Sequence, residues 1–146
     1  MNGTRAGIAA FAIAVVAGPA YTVPGYSHVA HVVSELAAQN TPGNVLMSIA
    51  FVALGAGIVV DGLRAFSPRL VPFVAFGAFM ALAGLFGHRP IGADVPYLPW
   101  VDATHSALAS AAGVSITVAM GWQALRPRPP AQPAAQAPHS GVFDAR

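Results

Sequence analysis

The sequence predicts an all-α membrane protein: a bundle of four transmembrane helices with a short outer amphipathic helix and a disordered C-terminal tail. Three observations predict it. Of the 146 residues, 55% are hydrophobic and only 8% are charged. Soluble domains carry roughly 25% charged residues, so a water-soluble globule could not cover its surface with this set. Four apolar runs approach the roughly 20 residues that a helix needs to cross a hydrocarbon core of about 30 Å. The arginines, finally, are distributed unevenly around those runs.

The runs are residues 6–23, 45–62, 70–87 and 103–125, which with their connections make one domain over residues 1–125. Backbone polar groups find no partner in lipid, so each run is expected to be helical. No alternating polar and apolar pattern suggests a barrel. Arg5 and the stretch ending in "AGPA" before Tyr21 also have the form of a cleavable signal peptide, which would leave three helices. Small residues recur in the runs, at Gly55, Gly57, Gly77, Ala81, Gly84, Ala109 and Gly113, and such residues let helices approach closely in lipid. In the fourth run Asp102, His105, Ser106, Ala109, Ser110, Gly113 and Thr117 share one arc of the helical wheel. That polar and small stripe is expected to face the bundle, away from lipid. Residues 126–146, rich in Pro, Ala and Gln, cannot bury enough apolar surface to order themselves and are expected to form a mobile tail.

Arg5, Arg64, Arg69, Arg126 and Arg128 fall on one side of this topology, whereas the two long loops carry only Arg89. The positive-inside rule makes the arginine side cytoplasmic. The expected location is the inner (plasma) membrane, multi-pass, with both termini cytoplasmic. The pI near 9.7 comes from scattered single arginines, with no basic patch to engage a phosphate backbone, so nucleic acid is not an expected partner. There is no cysteine, which excludes disulfides, thiolate ligands and a cysteine nucleophile.

Titratable groups gather on the outer side. In "GYSHVAHVVSELAAQN", residues 25–40, helix spacing over 27–39 puts His28, His31, Ser34 and Glu35 on one face and Val29, Val33, Leu36 and Ala37 on the other. That pattern predicts an amphipathic helix lying at the interface. His88, Asp94, Asp102 and His105 fall on the same side. Imidazole and carboxylate suit zinc or iron, and carboxylates commonly orient metal-binding histidines. The hypothetical metal set is His28, His31, Glu35, His88, Asp102 and His105. Asp61 lies three residues before Arg64 and is expected to pair with it at the interface. Tyr21, Tyr26, Tyr97, Trp100 and Trp122 read as interfacial anchors.

Tyr26 followed by Ser34, Glu35 and Leu36, and Asp94 ahead of His105, resemble a bacterial membrane family known as domain of unknown function nine hundred and ninety-eight. The likeness covers roughly residues 6–125. It implies a first helix, an outer segment carrying Tyr and "SEL", a Gly-rich second helix, and a histidine opening the helix after a short acidic loop. Two departures stand out. "GHRPIGAD" replaces the family's usual Phe-Pro before the acid, and members commonly have six helices. The resemblance implies an architecture and no activity.

Three functions are compatible with these residues. The first is a small non-catalytic membrane protein, an accessory or assembly subunit, with membrane lipid and either protein partners or further copies of itself around it. The second is a metal-dependent hydrolase acting on a lipid or envelope substrate, with a zinc-bound water as nucleophile and Glu35 or Asp102 as general base. The third holds a haem between His31 and His105, or a quinone. No H-E-x-x-H or comparable compact signature is present. The non-catalytic reading therefore comes first, and no cofactor is established.

Overall fold

Close packing of glycine-bearing helix faces builds the molecule. The structure is a computed structural model and describes residues 2–92 and 94–125; the tail expected at 126–146 lies outside them. Among these residues the helices are α1 (Asn2–Tyr21), α2 (Asn44–Arg64), α3 (Val71–Ala83) and α4 (Pro99–Ala124). Short 3-10 turns occupy Val33–Ala37 and Pro68–Leu70. Each helix packs on the next, α1 on α2, α2 on α3 and α3 on α4, while α1 and α4 share no extended interface.

The α1–α2 contact runs antiparallel through Gly7. A Cβ there would stand 2.7 Å from Leu54 Cα and 2.8 Å from Ala53 O. One turn earlier, Gly3 faces Gly57 in the same way. Gly3 and Gly7 form a small-xxx-small pair that straddles the start of the predicted run, Gly3 lying ahead of it and Gly7 within it. α2 and α3 meet backbone to backbone at Gly55 and Gly77, where a Cβ on Gly55 would collide with Gly77 O and Ala81.

Three helices, α1, α2 and α4, are long and apolar enough to cross a membrane. The third predicted span is shorter than the 70–87 run. At 13 residues α3 is about 20 Å long, less than a hydrocarbon core of about 30 Å. Its apolar run continues past Ala83, but the chain turns there through Gly84–Phe86. α4, in contrast, begins earlier than predicted, because Pro99 suits a first helical turn that needs no N–H partner. Asp102 is thereby brought into that turn.

The outer amphipathic helix expected at 27–39 is not formed. Ser27 O accepts from Ala30 N and His31 N in a single turn. Val32 is then extended (φ −80°, ψ 150°), Val33–Ala37 form one 3-10 turn, and Ala38 is extended again (φ −66°, ψ 145°). Burial gives the reason. Leu36, Ala37 and Ala38 are 0%, 1% and 0% exposed, whereas an interfacial helix advances about 100° per residue and would lift one of three neighbours into solvent. The segment plugs the mouth of the bundle instead. Leu36 and Ala37 join Ala14, Tyr26, Met47, Ala50 and Phe51 in the core cluster. Tyr21 and Tyr26 also turn inward, and the Tyr21 hydroxyl donates to Ala14 O at 2.7 Å. Tyr97, Trp100 and Trp122 are exposed.

The stripe on α4 points the other way from expectation. His105 is buried and Asp102 half-buried, but Ser106, Ala109, Ser110, Gly113 and Thr117 are exposed. The hydroxyls do not require a bundle interior. Ser110 Oγ donates to Ser106 O and Thr117 Oγ1 to Gly113 O, each at 2.8 Å, which satisfies them within their own helix.

Candidate functional site

The antiparallel order puts Arg5, Arg64 and Arg69 at one end of the bundle and the four described histidines at the other. At the histidine end a polar clasp joins the plug, the loop between α3 and α4, and the first turns of α4. Gln39 is its hub. Its Nε2 donates to Gly87 O at 2.9 Å and Leu98 O at 3.3 Å, and its Oε1 accepts from Leu98 N at 2.9 Å. The Gln39 backbone N–H donates to His88 O at 2.9 Å, beside a parallel bridge between Ala38 and His88. Asn40 Nδ2 donates to Pro96 O at 2.7 Å. None of these contacts is local in sequence, so no motif announces them. Replacing Gln39 with Ala is expected to cost about 1–2 kcal/mol and to speed hydrogen exchange at Leu98, whose N–H loses its acceptor.

The predicted ligand residues separate into two groups. In the first, the Tyr26 ring lies edge-on to His28 at 5.2 Å and stacked with His31 at 5.7 Å. His31 Nδ1 accepts from Ser27 N at 3.1 Å, and the Tyr26 hydroxyl lies 3.3 Å from His28 Nδ1. Burial raises the Tyr26 phenol above its ordinary pKa range, and the charge of nearby Glu35 adds to the effect. The hydroxyl therefore remains protonated at neutral pH and can donate to the His28 nitrogen.

The second group is His88, Asp102 and His105. Asp102 Oδ1 accepts from Arg89 N at 2.8 Å and lies 3.9 Å from His88 Nε2. His88 Nδ1 contacts Arg89 O at 2.9 Å. The His88 ring stands edge-on to His105 at 5.4 Å, and Phe51 stands edge-on to His105 at 6.3 Å. His105, 1% exposed, acts on the end of α3. Its Nδ1 lies 3.0 Å from Ala83 O and 2.8 Å from Phe86 O. Carbonyl oxygens only accept, so Nδ1 carries the proton. The last carbonyls of a helix have no partner within it; Ala83 O accepts from Phe86 N in the following turn, and α4 adds a second donor from outside.

Among the described residues, three buried side-chain atoms lack a hydrogen-bond partner: Thr22 Oγ1, Glu35 Oε2 and His105 Nε2. Also among the described residues, no group of three or more His, Cys, Asp or Glu side chains is arranged to hold a metal ion. The pairing of Asp102 with His88 resembles the carboxylate–imidazole pairs that support metal ligands. Here its oxygen is also held by the Arg89 backbone, so the pair secures a loop. Asp94, the acid of the resemblance, is exposed, whereas Tyr26 and Leu36 are core residues.

At the arginine end Asp61 is 6% exposed. Its Oδ2 accepts from Thr4 N at 2.8 Å, and Thr4 Oγ1 donates to Gly57 O at 3.3 Å. The carboxylate thus serves the first turn of α1, whose N–H groups have no acceptor within that helix, while Arg64 is exposed.

No curated protein and no solved structure matches the chain. A family model described as "Protein of unknown function (DUF998)" matches residues 6–142. With its apolar helices, its buried Tyr26 and Leu36 and the histidine near the start of α4 in place, this membrane protein belongs to the DUF998 family.

Proposed function

We propose that the chain is a non-catalytic integral membrane protein, an accessory or assembly subunit that joins a larger membrane complex through α4. In this reading α3 makes a fourth, shorter crossing, and both termini lie on the cytoplasmic side of the plasma membrane. The observation that carries the proposal is the exposed face of α4. Ala109, Gly113, Thr117 and Gly121 lie four apart on it, and a Cβ on Gly113 or Gly121 would meet nothing within 4 Å. Helices associate in lipid through close backbone approach rather than hydrophobic transfer, so a smooth small-residue face suits a second transmembrane helix better than it suits lipid tails. The polar residues at the other end support the same reading, because Gln39, Asp102 and His105 are committed to main-chain groups of neighbouring segments.

The test is photocrosslinking in native membranes, with a photoreactive residue in place of Gly113 and a control at Ile13, exposed on α1. A discrete adduct at 113 and none at 13 is expected. An adduct weighing twice the 14.8 kDa chain would replace the accessory role with self-association. Equal labelling at both positions would remove the α4 interface altogether.

A further inference from the structure

The two ends of the bundle are filled differently. At the histidine end the plug closes the space between the helices. At the arginine end no segment among the described residues does so, and a cavity of about 420 Å³ lies between the helices. All four helices contribute to its wall, through Thr4 on α1, Ile58 and Asp61 on α2, Phe73 and Phe76 on α3, and Ile116 on α4. Because α1 and α4 do not pack together along their lengths, the cavity lies where the bundle is open at the side. Its volume falls within the roughly 300–1,000 Å³ common for ligand sites.

The lining is almost wholly apolar, with Asp61 and Thr4 the polar exceptions. Water gains little from such walls, since an ordered water needs two to four polar partners. A hydrocarbon chain fits them. Around the rim, three lining residues have an arginine as chain neighbour: Thr4 precedes Arg5, Ala65 follows Arg64, and Leu70 follows Arg69. All three arginines are exposed. Guanidinium groups match phosphate oxygens in charge and in their planar fork of donors, and basic pockets between transmembrane helices bind anionic headgroups.

From this combination we infer that the cleft between α1 and α4 is a binding site for an anionic phospholipid, with one acyl chain in the cavity and the phosphate at the rim among Arg5, Arg64 and Arg69. Asp61 fixes the depth of the seat. Its carboxylate lies in the wall and accepts from Thr4 N, so the interior presents acceptor oxygens where a phosphate needs donors, and the phosphate is held outside with the arginines. Only the uncharged chain enters. The site is separate from the small-residue face of α4 on which the assembly reading rests.

Native mass spectrometry of the full chain, released from bilayers of equal parts phosphatidylglycerol, phosphatidylethanolamine and phosphatidylcholine, tests the site. One retained phosphatidylglycerol is expected in preference to the zwitterionic lipids. R5Q, R64Q and R69Q should each lower that preference by about fivefold while a lipid adduct is still retained. I116W, which fills the cavity, should abolish retention, and I116F provides a gentler second filling should the tryptophan variant misfold. Helical circular dichroism and a single gel-filtration peak identify the folded variants. Equal retention of all three lipids by the unaltered chain overturns the proposal. So does phosphatidylglycerol retention that is unchanged by all three arginine substitutions, or by both fillings of the cavity.

Discussion

Replacing His105 with Ala is expected to destabilise the protein by about 3–5 kcal/mol, measured by denaturant titration in detergent. Two losses add. Removing a buried ring leaves a cavity that its neighbours Phe51 and His88 fill only in part. Phe86 O also loses the imidazole donor, while Ala83 O keeps only the Phe86 N–H at 3.2 Å, and a carbonyl left bare in an apolar surrounding costs about 1–3 kcal/mol. H105F separates the two effects. It keeps most of the volume, yet should still cost about 1–3 kcal/mol, with faster hydrogen exchange at Gly84 and Leu85 as the end of α3 frays. If H105F matches the unaltered protein, the imidazole is only a space-filler and the cap is an irrelevance.

The second large effect is expected at Gly55. G55V should cost about 3 kcal/mol, the upper end of what overpacking usually costs. The atoms opposed to the new side chain are Gly77 O and the backbone of Ala81. Neither can rotate away, so α2 and α3 must separate along their length. G113A provides the contrast within the same fold. Its Cβ meets nothing, and exchanging an exposed helical glycine for alanine gains up to about 1 kcal/mol of helix propensity. The isolated chain should therefore be as stable or slightly more so, while the proposed α4 association weakens. Matched losses of stability at Gly55 and Gly113 would mean that both glycines face the interior, contrary to the packing described here.

The pairing of these two glycines shows what a helical wheel conveys. Both were recognisable as small residues suited to close packing, and neither revealed which way it faces. The α4 stripe reads inward on the wheel because polar groups bare to lipid are costly, yet Ser110 and Thr117 each donate within their own helix, four residues back. Gly3 and Gly7 carry a usable signal in their spacing of four, but Gly3 lies ahead of the 6–23 run and the pair is split by its boundary. Gln39 carried none, since the carbonyls it holds are 48 and 59 residues away. The histidines were recognisable as unusual in so oily a chain, but their division into a Tyr26 group and an Asp102 group depends on how the plug and the α3–α4 loop fold back.

Membrane character, the helical class and the placing of Arg5, Arg64 and Arg69 opposite the four described histidines are legible in the residues alone. These follow from composition and from the inability of a backbone to leave its polar groups unpaired in lipid, which is a property of each segment alone. Packing across the bundle settles the rest: residues 33–38 plug it, α3 stops at Ala83, and α4 turns its small face outward. Each of those outcomes depends on which groups meet across the bundle. Leu36, Ala37 and Ala38 leave the interface because a buried space receives all three, and α3 ends where an imidazole from α4 meets the carbonyls of Ala83 and Phe86.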